Sequence, residues 1–551
     1  MSLANLASVA ALLGATAASP AFHPHELTER ADINLWPAQS FVTADFHPPT
    51  FVVTKNEEEL EQGLIFITPA LENVDSLSSL GSLQATGTTI VTDDGQLVWQ
   101  GPHTSVVEVE ASTDQVFNIT TNFMVQELDG EPILTHWIGY GSDTGRGYGS
   151  VAVYNTSYSQ IYTVCPELDI VYNTASFPSA PTCFVDLHES FVTPSGSMII
   201  SVANITSFDL SPINGPIEGW VYDSQFYEVD IKTNEILFRW SSVESGIPIT
   251  YTKLALGEGT AGNGTRDSPF DWFHVNAISS AGDGYLVNSR HCWTTWMLDE
   301  SGTIQWKIEG NNTEGLSDFT LPTDGLFEWQ HHARYQNLTE TGVTLHYFNN
   351  RNSNFSNGTN ESSGLELSLN LLDYTVTVEK KLTDPSDPIY TESQGAFNPL
   401  ANGNTFMGWG SIAKLKEFGP NGNNDVRLTM QFGGKDLVQS YRAYRQSWNA
   451  TPIANPAAVG RNSTAWMSWN GATDHTAWNV YAGTVKTDLS LVGTVQRNNM
   501  FEVSYPLPSN AQFLQVAAYR ESTWLRNSSV VTVGPFSHPV DVGDEEDGCD
   551  A

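Results

Sequence analysis

Positive charge is scarce in this chain. Across 551 residues it carries 24 lysines and arginines against 62 aspartates and glutamates, a formal net charge of −38. Such a surface repels nucleic acid and anionic membrane, so neither is expected as a partner. An anionic ligand has to be held by a few local cations against that field. Cysteine is scarcer still, with four residues and no spacing that resembles a zinc site. Cys165 and Cys183 bracket a Pro/Ser-rich loop and are placed to pair in an oxidising compartment; Cys292 and Cys549 look unpaired, the latter in the acidic tail DVGDEEDGCD. The chain has no P-loop, no G-x-G-x-x-G after a strand and no G-x-S-x-G, so nucleotide, dinucleotide and α/β-hydrolase mechanisms have no anchor. HELTE and HESFV each lack the second histidine of a zinc-binding H-E-x-x-H, and no metal or cofactor is expected.

Long hydrophobic runs are also missing, except at the start. MSLANLASVAALLGATAASPAF reads as a secretory signal peptide over residues 1–19, too short for a membrane span. Sequons agree with export: N-x-S/T occurs at Asn118, Asn155, Asn204, Asn263, Asn311, Asn337, Asn354, Asn357, Asn360, Asn449, Asn462 and Asn527. These features predict a secreted, extracellular glycoprotein with no membrane insertion.

Helical periodicity is scarce too, and what replaces it is short β-branched and aromatic runs between Gly, Asn, Asp and Ser turns, the pattern of an all-β protein. One hairpin recurs loosely: TTIVTDDGQLVWQG (88–101), FYEVDIKTNEILFRW (226–240), TTWMLDESGTIQWKIEG (294–310) and, more faintly, LSLNLLDYTVTVEKKL (367–382). A spacing of roughly 60 to 75 residues suggests propeller blades, with room for about six. After SYRAYRQSWNATP the texture changes to seven or so short alternating strands, as in an immunoglobulin or fibronectin-III-like β-sandwich. The expected fold is thus an all-β, six-bladed β-propeller over residues 20–445, a β-sandwich accessory domain over 446–536, and an acidic tail over 537–551. His475, in the second domain, is expected in a surface loop.

Four stretches place polar, ionisable residues where strands would otherwise be apolar. FVDLHESF carries Asp186 and His188, DWFHVNAI carries His274 and Asn276, and YLVNSRHCW carries Asn288, Arg290 and Cys292 on one face with His291 on the other. In FEWQHHARYQN, alternation puts His331 and Ala333 on one face and Gln330, His332 and Arg334 on the other. Inner strands of successive blades line one channel, so imidazoles far apart in sequence can converge there. Trp137, Trp293 and Trp409 are read as core residues rather than platforms for a substrate.

DWFHVNAI, GYLVNSRHCWTTWMLDESGTIQWKIEG and FEWQHHAR, followed by NGNTFMGWGS and KEFGP, resemble the arylsulfotransferase family, in particular its fungal secreted branch, over about residues 60 to 450. The resemblance implies a six-bladed propeller. It also implies transfer of a sulfuryl group from a phenolic sulfate ester to a phenol, without a nucleotide sulfate donor, through a sulfohistidine. Carried over by position, Q-H-x-A-R falls on Gln330, His331, Ala333 and Arg334, which makes His331 the nucleophile candidate. F-H-x-N falls on His274 and Asn276, S-R on Ser289 and Arg290, and the upstream histidine on His188. Where the family often has His-Asp, this chain has His188-Glu189, with Asp186 before it.

The chemistry stands on its own terms. Neutral imidazole is a competent nucleophile near its ordinary pKa of about 6.5, so activity is expected to fade well below about pH 6. A sulfuryl group in flight resembles a transferring phosphoryl, with charge on three oxygens, and needs fixed donors: Arg290, His188, His274 and the Asn276 amide, with Ala333 leaving room beside His331. Two other readings stay open: a propeller enzyme with diverged acid–base chemistry on an aromatic metabolite, and a non-catalytic glycosylated binding protein.

Overall fold

A computed structural model describes residues 36–71, 87–103, 116–142, 144–174, 177, 180–353, 355, 360–434 and 438–534. The expected signal peptide, the acidic tail with Cys549, and the sequons at Asn354 and Asn357 lie outside them. The described chain is all β apart from three one-turn 3-10 helices.

Six antiparallel sheets of four strands form the propeller, and blade VI carries a fifth strand. The innermost strands of blades I to VI are Ala443–Gln446, Val116–Leu128, Ser190–Val192, Val275–Ala281, His331–Gln336 and Ala396–Pro399. The recurring hairpin of the sequence is the outer half of a blade. Its strands are Gly87–Val91 with Leu97–His103 in blade I, Gly219–Asp230 with Ile236–Ser241 in III, Thr294–Leu298 with Ile304–Glu309 in IV, and Ser363–Asn370 with Val376–Leu382 in V. Each turn has one residue in the left-handed region: Gly95 (φ 75°), Asn234 (62°), Gly302 (85°) and Tyr374 (58°). That conformation tightens the reversal and explains the Asn/Asp/Gly signature.

Two strands close the ring. The last propeller strand, Ala443–Gln446, becomes the inner strand of blade I by pairing with Leu64–Ile67. Val52–Lys55 pairs outside Val426–Gln431 of blade VI. Apolar side chains fill the wedges between blades, with Trp137, Trp272, Trp296 and Trp409 among the largest fully buried. Trp137 also donates its indole N–H to Val185 O (2.9 Å). Cys165 and Cys183 are joined as a disulfide, with Cα atoms 5.6 Å apart, and Cys292 is a buried free thiol. None of the sequon asparagines whose side chains are described is buried.

Beyond the propeller, eight strands from Ala457–Arg461 to Val531–Gly534 form one hydrogen-bonded array; the last pairs parallel to the first and antiparallel to Phe513–Arg520. Its core includes Met467, Trp469, Trp478, Leu514 and Val516. His475 is not a surface residue: it is 3% exposed, with its ring centre 4.6 Å from that of Trp478. Its sequence context is polar, but an imidazole is flat enough to pack under indoles. The array is tied to the propeller through Tyr158, which stacks on Trp99 (4.7 Å) and donates its O–H to Gly471 O (2.9 Å).

Candidate active site

The loops that enter the inner strands, together with the turn after the second strand of blade IV, meet at one mouth of the channel around a cavity of about 350 Å³. His188 precedes the inner strand of blade III, His274 immediately precedes that of blade IV, and His331 begins that of blade V. Arg290 follows Gly284–Ser289, the second strand of blade IV. All four line the cavity, and all are at least nine-tenths buried.

Carboxylates orient two of the imidazoles. His188 donates Nδ1–H to Asp186 Oδ1 (2.5 Å), and His274 donates Nδ1–H to Asp271 Oδ2 (2.6 Å). Their Nε2 atoms then face each other at 3.1 Å across rings 82° apart. Behind them Arg146 donates to Asp271 Oδ1 (2.5 Å). Burial raises the Asp271 carboxyl, but Arg146, His274 and His291 outweigh it and hold the group well below the usual carboxylate range. Burial pushes His274 far down, against the pull of Asp271.

His331 is held in one tautomer. Its Nδ1–H donates to Asn350 Oδ1 (2.7 Å), with Trp329 O at 3.1 Å, and its Nε2 accepts the backbone N–H of Gln394 (3.1 Å). Burial, then the Arg290 guanidinium, push this imidazole well below its ordinary 6.5. Arg290 itself donates to His291 Nε2 (2.8 Å) and Glu392 O (3.0 Å), while its Nε is buried without a partner. Burial lowers its pKa to about 10, so it stays charged at neutral pH.

The family-model comparison matches arylsulfotransferase (ASST) over residues 124–433, more than half of the chain. This chain belongs to the arylsulfotransferase family. With the propeller, membership supports an arylsulfotransferase-like enzyme acting on aryl substrates. No curated protein matches the chain. Among solved structures, a protein of unknown function from Bacteroides caccae is 10% identical, covering 69% of this chain and 97% of that one with a TM-score of 0.35. An α-L-arabinanase from Penicillium chrysogenum is 8% identical over 75% and 93%, with a TM-score of 0.31. At such scores neither likeness carries an argument about this chain.

Strict strand alternation does not survive at the site. The register slips between Val275 and Ala277 and between His331 and Arg334, and His274 (φ 52°), Trp329 (56°), His332 (50°) and Gln394 (66°) all occupy the left-handed region. Non-glycine residues there cost energy, and such strain gathers at functional sites. The bulges separate residues that alternation puts together. Asn276 leaves the cavity; its amide donates to Gln330 O (2.9 Å) and accepts from Asn288 (2.6 Å), so it braces neighbouring blades and offers nothing to a sulfuryl group. Ala333 packs in the core between blades IV and V and makes no room beside His331. His291, placed on the opposite face by alternation, joins Arg290 on the cavity wall, while Cys292 turns into the core.

Sequence reasoning passed over Asp271, Asn350, Gln394 and Tyr441. Tyr441 lines the cavity with its hydroxyl buried and unpartnered, its ring centre 5.8 Å from that of His188 and 6.4 Å from that of His331. Asp271 had a signal, a carboxylate three residues before a motif histidine; the others carry none, since only the ring of blades brings them near. Among the described residues, Asp271, His274 and His291 place potential metal-ligand atoms within 4.8 Å of one another. Two of these nitrogens already hydrogen-bond to Asp271: His274 Nδ1 to its carboxylate, and His291 Nδ1 to its backbone oxygen at 2.5 Å.

Proposed function

We propose that this secreted propeller, of the family's fungal branch, transfers a sulfuryl group from a phenolic sulfate ester to a phenol through a sulfohistidine at His331. The observation that carries the reading is the meeting of the His188–His274 pair, Arg290 and His331, from blades III, IV and V, around one cavity. Support for export comes from the surface sequons and the disulfide. We read the strands beyond residue 446 as the accessory immunoglobulin/fibronectin-III-like sandwich.

The His331 tautomer leaves a lone pair on Nε2, which is capped by the Gln394 N–H. The first half-reaction exchanges that contact for sulfur. His331 Nε2 bonds to sulfur as the bond from sulfur to the aryl oxygen breaks, and charge on the sulfuryl oxygens is met by Arg290. Both Nδ1–H groups of the His188–His274 pair are committed to carboxylates, so two bare lone pairs would oppose each other at 3.1 Å. One proton lies between them. It passes to the departing phenoxide, and the acceptor phenol returns it in the second half-reaction, when its oxygen attacks sulfur and the bond from nitrogen to sulfur breaks. Tyr441 and Phe355 supply aromatic surface for the aryl group.

Intact-protein and peptide mass spectrometry after exposure to 4-nitrophenyl sulfate tests the intermediate. One sulfuryl adduct on the His331 peptide, discharged by added phenol, is expected; an adduct elsewhere, or none during turnover, refutes the assignment.

The pH profile follows from the direction of the His331 shift. A nucleophile must be neutral, and a depressed pKa keeps it neutral into acid. The acid limb therefore moves below the position expected from an ordinary histidine. The ratio kcat/KM is expected to stay level from neutral pH through about pH 6 and to fall only in stronger acid. A half-maximal point near pH 6.5 in the pH–rate profile contradicts this.

A further inference from the structure

The neighbour of His331 has a different destination. His332, at φ 50° inside the bulge, points into a cavity of about 730 Å³ at the other mouth of the channel, lined also by Arg334, His346, Tyr444, Phe191 and Phe397. That volume suits a drug-sized molecule. A polar waist separates it from the catalytic cavity. There Glu189 accepts from Arg334 (2.9 Å) and from Arg442 (3.0 Å), and Arg442 also donates to the backbone oxygens of His188 and Asn276.

Two guanidiniums share one carboxylate at this waist, so positive charge is in surplus within a strongly acidic protein. Arg334 carries that surplus to the cavity wall, its guanidinium carbon 5.6 Å from the centre of the Phe191 ring. One polar group beside it lacks a partner: His346 Nδ1 is buried with none, while Tyr444 Oη is held by Arg442 and lies 3.4 Å from His332 Nε2. Burial, then the nearby Arg334, hold both imidazoles far below their ordinary range, His346 at about 3, so they offer hydrogen bonds and no charge.

We propose that this lower cavity is a second binding site, separate from the sulfuryl-transfer site, for a planar aromatic anion: the anionic group meets Arg334 and its cross-strand neighbour His346, and the ring lies between Phe191 and Phe397. Unlike a sulfate ester, an aryl sulfonate cannot be turned over, so it probes binding alone.

Isothermal titration of the full chain with naphthalene-2-sulfonate, 2-naphthoate and uncharged 2-naphthol tests the assignment. In the Arg290→Gln background, which disables the upper site, one sulfonate or naphthoate is still expected to bind per chain. Adding His346→Phe or Arg334→Gln is expected to weaken it about 10- to 100-fold, the worth of a hydrogen bond to a charged group. Should Arg334→Gln fail to fold, His346→Phe, which keeps the ring packing on Phe397, decides alone. Sulfonate against naphthoate tells whether the anion is tetrahedral or planar. No binding in the Arg290→Gln background, binding unmoved by His346→Phe, or naphthol binding as tightly as the anions overturns the proposal.

Discussion

His331→Ala is expected to lower sulfuryl transfer from 4-nitrophenyl sulfate to phenol by about 10⁴-fold or more, the scale on which enzymes lose activity when a covalent nucleophile is removed. The substitution removes the imidazole whose Nε2 meets no more than a backbone N–H, whereas His188 and His274 face each other and the Nε2 of His291 accepts from the Arg290 guanidinium. Binding is expected to change far less than kcat, because Arg290, Tyr441 and the histidine pair remain on the wall. Folding is expected to hold as well: the neighbours that lose a partner are the Asn350 side-chain oxygen, the Trp329 carbonyl and the Gln394 backbone N–H, beside a cavity that water can enter. Steady-state kinetics with thermal unfolding of the same sample separate these outcomes. Transfer that survives the substitution removes the assigned role while leaving family membership untouched.

The second large effect is on stability. Glu189→Ala is expected to destabilise the protein by about 3–5 kcal/mol, read as a lower urea midpoint at unchanged m. Glu189 is wholly buried and holds Arg334, Arg442 and the N–H of Ile278, which belong to blades V, I and IV. Without the carboxylate, two guanidiniums are left facing each other in a closed channel. Glu189→Asp keeps the charge but is one methylene short of both arginines, so an intermediate loss is expected. The sign with pH follows. Burial raises this carboxyl, but Arg334 and Arg442 outweigh it and leave it below its ordinary 4.5. Its contribution is present above about pH 4.5 and is lost as pH falls through the folded value. A midpoint for Glu189→Ala within 1 kcal/mol of the parent, on the same scale, refutes the bracing role.

Much of this was legible in the sequence because it rests on local physics. Alternation and turn chemistry are properties of a few adjacent residues, so the outer hairpins of blades I, III, IV and V could be seen directly, and their spacing led to six blades. The polar residues set into apolar strands, at His188, His274, Arg290 and His331, marked the channel because burial there is costly unless it serves something. Local rules failed where the backbone leaves the local norm. A one-residue bulge turns side chains to the other face, and bulges at Val275 and His331 moved Asn276 and Ala333 out of the site, whereas His332 points away from His331 as alternation has it. No pattern in the chain announces them, since His274 and His332 hold left-handed conformations that only the surrounding blades can enforce.

By itself, then, the sequence determined the all-β class, the repeat, the acidic surface and the residue types of the site. Which of those residues share a cavity was decided only by closing the ring. Closure brings Asp271 to His274, Asn350 and Gln394 to His331, and Glu189 to arginines 145 and 253 positions away. Such contacts form between elements separated by whole blades, where sequence distance carries no information about spatial distance, and so they belong to the tertiary structure alone.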